Sequence, residues 1–108
     1  MELSVWISYD LGIKGDFNGL YQWLDTHKGK ECGNSTAFIN YTYKTDFFSE
    51  LKKDIEENIE IKSTDRIYII FKNPETSKIT GKFLIGNRKA SPWEGYAPSK
   101  ETLEDVIL

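Results

Sequence analysis

Cysteine, histidine and proline are scarce in this chain of 108 residues, which has one cysteine, one histidine and three prolines. The single cysteine, Cys32, excludes a disulfide within the chain and a zinc site built from several cysteines. No stretch approaches the roughly 20 apolar residues that a membrane-spanning helix requires. The first residues lack the basic and apolar regions of a secretory signal, so we expect a cytoplasmic protein.

Positive charge is also limited, because 14 lysines and arginines stand against 17 aspartates and glutamates, a formal net charge of −3. Only Arg66 and Arg88 are arginines, and arginine is the residue best suited to paired contacts with phosphate. General nucleic-acid binders usually carry a basic patch, so this composition counts against that class. The length and an apolar content of 39% fit one globular domain.

Hydrophobic periodicity predicts five strands and two helices. Alternating apolar and polar residues predict strands at 3–10, 30–32, 36–43, 66–72 and 78–85, and helical spacing predicts helices at 17–27 and 46–59. Asp16 is expected to cap the first helix, and Thr45 or Asp46 the second, in which Phe48 belongs to the apolar face. A further short helix is expected from Ser99.

The order of these strands and helices indicates an α+β, ferredoxin-like fold (βαββαβ plus an extra C-terminal strand), an antiparallel sheet with two helices on one face. We expect residues 1–86 to form this domain. Residues 87–108 would then be a C-terminal tail, packed on the domain or on a partner subunit.

One face of the predicted sheet carries large apolar side chains that the helices would not cover. Alternation places Trp6, Phe38, Tyr68 and Ile70 there, where a solvated sheet would be polar. Such a patch is uncommon on a monomer, and either the tail or a second copy of the sheet could cover it. We favour a two-fold homodimer with these four residues in its interface. The alternative, a stacking platform for single-stranded RNA, is disfavoured by the acidic charge.

The first predicted strand ends on a carboxylate in the stretch ISYDLG, residues 7–12. Together with STAFINY after Gly33 and with STDRIYIIF, it resembles the small CRISPR-associated adaptor and ribonuclease family, whose superfamily includes VapD-type toxins and GhoS-type antitoxins. The resemblance covers roughly residues 4–71. It implies a homodimer packed through open sheet faces, in which paired aspartates bind magnesium and support phosphodiester cleavage. Only Asp10 carries over from that site.

The alternation independently places Asp10 on the same face as Trp6. Two carboxylates that meet across a two-fold axis repel each other unless they share a cation or a proton. Magnesium suits such a pair, since it needs only one or two carboxylates and keeps its waters. Asp10 is therefore a candidate catalytic and metal-binding residue. A turn-forming role before Gly12 explains it as well, and contact with a partner is a third alternative.

The other candidate residues are expected to contact nucleic acid or a partner: Lys14, Arg88, Lys89, Trp93 and Tyr96. Those in the tail could hold a phosphate backbone beside an aromatic stack, or they could anchor the tail, and we favour the anchor.

Two residue types with reactive side chains occur once each. No carboxylate or cysteine cluster in the sequence marks His27 as a ligand, and Cys32 is expected to be a buried core thiol.

The sequence thus predicts one of two functions. The first is a magnesium-dependent endoribonuclease that uses paired Asp10 residues. The second is a non-catalytic protein-interaction or regulatory module, antitoxin-like or defence-related. The partner would be RNA or a protein.

Overall fold

The computed structural model describes residues 1–95, and these form an α+β unit with one five-stranded antiparallel sheet and two helices. The five predicted strands and two predicted helices of residues 1–86 are present in the predicted order, with ends that differ by at most one residue. In chain order they are β1 (Glu2–Asp10), α1 (Phe17–Thr26), β2 (Lys30–Glu31), β3 (Thr36–Thr42), α2 (Phe47–Asn58), β4 (Arg66–Lys72) and β5 (Ile79–Ile85).

The strands lie in the order β2-β3-β1-β4-β5, and every neighbouring pair is antiparallel. The central strand β1 pairs with β3 on one side and with β4 on the other, so Trp6 lies opposite both Phe38 and Ile70. This arrangement is compatible with the expected ferredoxin-like fold.

Both helices pack on the same face of the sheet. Alternate residues of β1, β3 and β4 are buried, and they share one core cluster with the buried residues of α1 and α2. Val5, Ile7 and Ile69 are fully inaccessible to solvent, as are Leu20 of α1 and Leu51 of α2. Each such side chain stabilises the fold by roughly 1.5–3 kcal/mol on burial. The opposite face of the sheet has no share in this core.

Capping residues fix the start of each helix. Asp16 caps α1 as expected, because its carboxylate accepts from the N–H of Gly19 at 2.9 Å. The second helix differs from the prediction, since the N-cap Asp46 makes no side-chain cap bond. Glu50 reaches back instead and accepts from the N–H groups of Lys44, Thr45 and Asp46. These bonds lower the pKa of Glu50 to about 2.

Two details of the sequence interpretation change. Phe47 is the buried aromatic residue in the first turn of α2, while Phe48 is only partly buried against the core. Cys32 is exposed and free rather than part of the core, because it follows the short edge strand β2. Residues 87–95 contain turns but no helix or strand, and the short helix expected from Ser99 lies outside the described residues. No helix within residues 1–95 is long and apolar enough to cross a membrane.

Candidate functional site

The sheet face opposite the helices, called the open face below, is apolar and accessible. It carries Trp6, Phe38, Tyr68, Ile70 and Phe83 in neighbouring strands. Trp6 is 42% exposed and Ile70 is 40% exposed, although both lie in the middle of the sheet. Their strands alternate strictly between buried and accessible positions. The predicted placement of these side chains away from the helices is therefore confirmed, and Phe83 joins them.

The aromatic residues of the open face form two contact pairs. The rings of Trp6 and Phe38 have centroids 4.9 Å apart, and those of Tyr68 and Phe83 are 4.8 Å apart in an edge-to-face arrangement. Gly81 allows the second pair, because a methyl group added there would overlap the Tyr68 ring and hydroxyl. The result is an aromatic surface of tilted and edge-to-face ring pairs, with Ile70 opposite Trp6.

Asp10 ends β1 on the open face, as the alternation predicts. It lies opposite Arg66 in the β1–β4 ladder. The Arg66 guanidinium donates to one carboxylate oxygen of Asp10 through Nη2 at 2.5 Å and through Nε at 3.2 Å. The Asp10 side chain remains 64% exposed. Its charge is thus matched within the same chain before any second carboxylate approaches.

The turn after β1 is held by Asp65. Asp65 is buried, with 2% of its surface exposed. Its carboxylate accepts hydrogen bonds from the backbone N–H groups of Gly12 and Lys62, each at 2.8 Å. The hydrogen bond from the N–H of Gly12 is thus accepted by Asp65 and not by Asp10. The Asp10 carboxylate is paired with Arg66 and remains accessible on the open face.

The predicted contact residues do not converge on Asp10. Lys14, Arg88, Lys89 and Trp93 are exposed, with Trp93 at 71%. Only Arg88 is seen to join the open face, where its guanidinium carbon lies 5.6 Å from the centre of the Phe83 ring. Tyr96 lies outside the described residues.

A second polar cluster, which the sequence did not suggest, lies between α1 and α2. The Nε2 atom of His27 is 3.5 Å from Oδ2 of Asp54. The same oxygen accepts from the Tyr41 hydroxyl at 3.0 Å, and Oδ1 accepts from the Asn58 amide at 2.9 Å. Burial, followed by the hydrogen bond to Asp54, raises the pKa of Tyr41. The spacing of His27 and Asp54 in sequence gives no sign of this contact.

The chemistry available at these sites is limited. No group of three or more histidine, cysteine, aspartate or glutamate side chains able to hold a metal ion occurs within residues 1–95. Within residues 1–95, Asp10 is therefore not part of a preassembled cluster of metal ligands.

Comparison of the chain with protein-family models, with curated proteins and with solved structures gives no match. The features that bear on function are therefore the open face, the Asp10–Arg66 pair and the cluster around His27 and Asp54.

Proposed function

We propose that the protein is a ferredoxin-like module that forms a homodimer through its open face and acts as a non-catalytic interaction or regulatory module. The strand order supports the fold, because β2-β3-β1-β4 is the order that a split βαβ arrangement produces. In this view β5 extends the sheet at its edge. Cys32, exposed and unpaired, suits a reducing compartment such as the cytoplasm.

The observation that carries the proposal is the exposure of Trp6 and Ile70 at the centre of the open face. Apolar side chains grouped in this way mark an interaction site on a monomeric surface. Trp6 and Ile70 lie at the centre of the open face, and the polar residues Ser4 and Asn40 lie further along the strands, on one side of this centre. An apolar core with polar residues around it is typical of a protein interface.

The size of the open face fits a second copy that associates weakly. Four strands of seven or more residues span about 19 Å by 23 Å, given strand spacings of about 4.8 Å and rises of about 3.3 Å per residue. At about 440 Å² each, two such faces together bury roughly 900 Å², the size of a weak or transient interface. A two-fold arrangement uses the same patch twice.

Sedimentation equilibrium tests the proposal. The chain is expected to sediment as a dimer at micromolar concentration. Trp6→Lys is expected to weaken association about 30-fold or more, since a central interface tryptophan typically contributes about 2 kcal/mol or more. Ile13→Lys is the matched control, because Ile13 is fully exposed in the loop after β1. A monomer at all concentrations, or equal effects of the two substitutions, would contradict the proposal.

The second candidate function is a magnesium-dependent endoribonuclease, related to the CRISPR-associated and VapD-type proteins that the sequence resembles. It is favoured by one observation, the position of Asp10 on the same face as Trp6. In a dimer through this face the two Asp10 carboxylates could share a magnesium ion and stabilise charge on a phosphate. Arg88 beside Phe83 is a contact of the kind that holds single-stranded RNA.

Asp10→Asn separates the two candidate functions. An endoribonuclease loses its magnesium-dependent cleavage of RNA on this substitution while its dimer persists. If the wild-type protein with magnesium or manganese leaves a panel of RNAs intact, the nuclease proposal fails and the interaction module stands. The pairing of Asp10 with Arg66 leads us to place the interaction module first.

A further inference from the structure

A cleft of about 280 Å³ between α1 and α2 contains the only histidine of the chain. Its walls carry the side chains of Gln22, His27, Asp54 and Asn58. The His27 and Asp54 side chains are 23% and 29% exposed, so both are held by their surroundings and still accessible. The cleft lies on the helical side of the sheet, away from the open face.

A hydrogen bond from Nδ1 to the protein backbone fixes the orientation of the His27 ring. Nδ1 lies 2.8 Å from the backbone carbonyl oxygen of Trp23, and a carbonyl can only accept, so Nδ1 carries a hydrogen. In the neutral ring Nε2 then bears a lone pair. A backbone carbonyl on the far nitrogen is the usual support of a histidine that binds metal.

The lone pair of Nε2 faces a second acceptor, the Oδ2 atom of Asp54, at 3.5 Å. The neutral ring and the carboxylate repel each other in this arrangement, and either a proton on Nε2 or a metal ion between the two atoms removes that repulsion. The separation suits a metal ion, because bonds of about 2.0–2.2 Å to nitrogen and oxygen at a tetrahedral angle place the two ligand atoms about 3.4 Å apart.

The Asp54 carboxylate is also held in place. Tyr41 donates to Oδ2 and Asn58 donates to Oδ1. Hydrogen bonds of this kind orient a metal-binding carboxylate before the ion arrives. Both members of the pair are therefore positioned by neighbours that come from different elements of the fold.

We propose that His27 and Asp54 form a binding site for a divalent transition-metal ion of the zinc class, which links α1 to α2. Water and the amide oxygens of Gln22 and Asn58 complete the coordination in the cleft. An imidazole ligand selects zinc over magnesium, which prefers oxygen ligands throughout. The site is independent of the proposed dimer, since neither ligand lies on the open face.

The test uses the chain without a histidine tag, in a Cys32→Ser background that removes the only thiol. Zinc chloride is titrated at neutral pH, and binding is followed by calorimetry and by the NMR signals of the single imidazole ring. His27→Gln and Asp54→Asn are the variants, and Asp25→Asn is the control, as an exposed carboxylate at the end of the same helix. Magnesium chloride is the control ion.

We expect one zinc ion per chain, a shift of the His27 ring signals, and binding weakened about tenfold or more in both variants but not in the control. Magnesium should leave the His27 signals in place. The proposal is overturned if saturating zinc leaves the His27 ring signals of the folded parent chain unchanged, or if His27→Gln binds zinc as tightly as the parent. The ring signals report on the unsubstituted site, so the experiment remains decisive even where a variant folds poorly.

Discussion

Asp10 and Arg66 face each other across the β1–β4 ladder, and two nitrogens of the guanidinium contact one oxygen of the carboxylate. The pair lies at one end of the open face, and Asp10 remains largely exposed. An exposed ion pair stabilises a fold only weakly. The pair matters for function because the positive charge of Arg66 neutralises the negative charge with which Asp10 would bind a metal ion.

Asp10→Ala is expected to lower the free energy of unfolding by less than about 1 kcal/mol, because the pair is exposed and screened by solvent. Urea denaturation followed by circular dichroism measures the change. A loss of several kcal/mol would show that Asp10 supports the fold itself, contrary to its assignment to the open face.

Asp65→Ala provides the contrasting case. It leaves the N–H groups of Gly12 and Lys62 without their acceptor, and an unsatisfied group of this kind costs about 1–3 kcal/mol. We expect a loss of about 2–3 kcal/mol in the same urea experiment. An effect no larger than that of Asp10→Ala would contradict the view that Asp65 holds the turn after β1.

Gly81→Ala tests how the open face is built. The added methyl group overlaps the Tyr68 side chain, so the ring must leave its position against Phe83. We expect the dimer to weaken while the unfolding free energy changes by less than about 1 kcal/mol, since alanine suits a strand better than glycine does. Sedimentation and urea denaturation measure the two quantities. Unchanged association would exclude the Tyr68–Phe83 pair from the interface.

Ionisation of Glu50 makes the free energy of unfolding depend on pH in the acidic range. Its pKa is lowered from 4.5 to about 2 in the folded chain by backbone hydrogen bonds, first from Lys44 and then from Thr45. The ionised carboxylate therefore stabilises the fold above pH 4.5, and this contribution is lost as the pH falls towards about 2.

Glu50→Gln is accordingly expected to be less stable than the wild type at pH 7 and to lose less stability between pH 4.5 and 2. Thermal unfolding across this range measures both effects. Glu57→Gln is the control, because the Glu57 side chain is 62% exposed and its ion pair with Lys53 is long at 3.9 Å and therefore weak. Parallel acid curves for Glu50→Gln and wild type would exclude the capping role.

Much of the fold could be predicted because its signals are local. The alternation along β1 placed Trp6 and Asp10 on one face, and Asp16 was recognisable as the N-cap of α1. These assignments depend on side-chain periodicity and on hydrogen bonds between residues close in sequence. The same signals identified the strand containing Phe83, although Phe83 was not assigned to the open face.

The side-chain partnerships could not be predicted because they depend on strand register and helix packing. Asp10 and Arg66 are 56 residues apart in sequence, and nothing local indicates that they lie opposite each other. The contact between His27 and Asp54 likewise depends on how α1 and α2 pack together. Cys32 was assigned to the core on residue type, but its place beside the two-residue edge strand β2 leaves it exposed.

The most direct test of the central claim is an isotope-filtered NMR experiment on a mixture of labelled and unlabelled copies of the chain. If two copies pack through their open faces, cross-chain contacts will be seen from the Trp6 indole and the Ile70 methyl groups, and none from Ile13. Cross-chain contacts confined to another surface, or their absence at high concentration while the Trp6 indole stays accessible to solvent, would contradict the account.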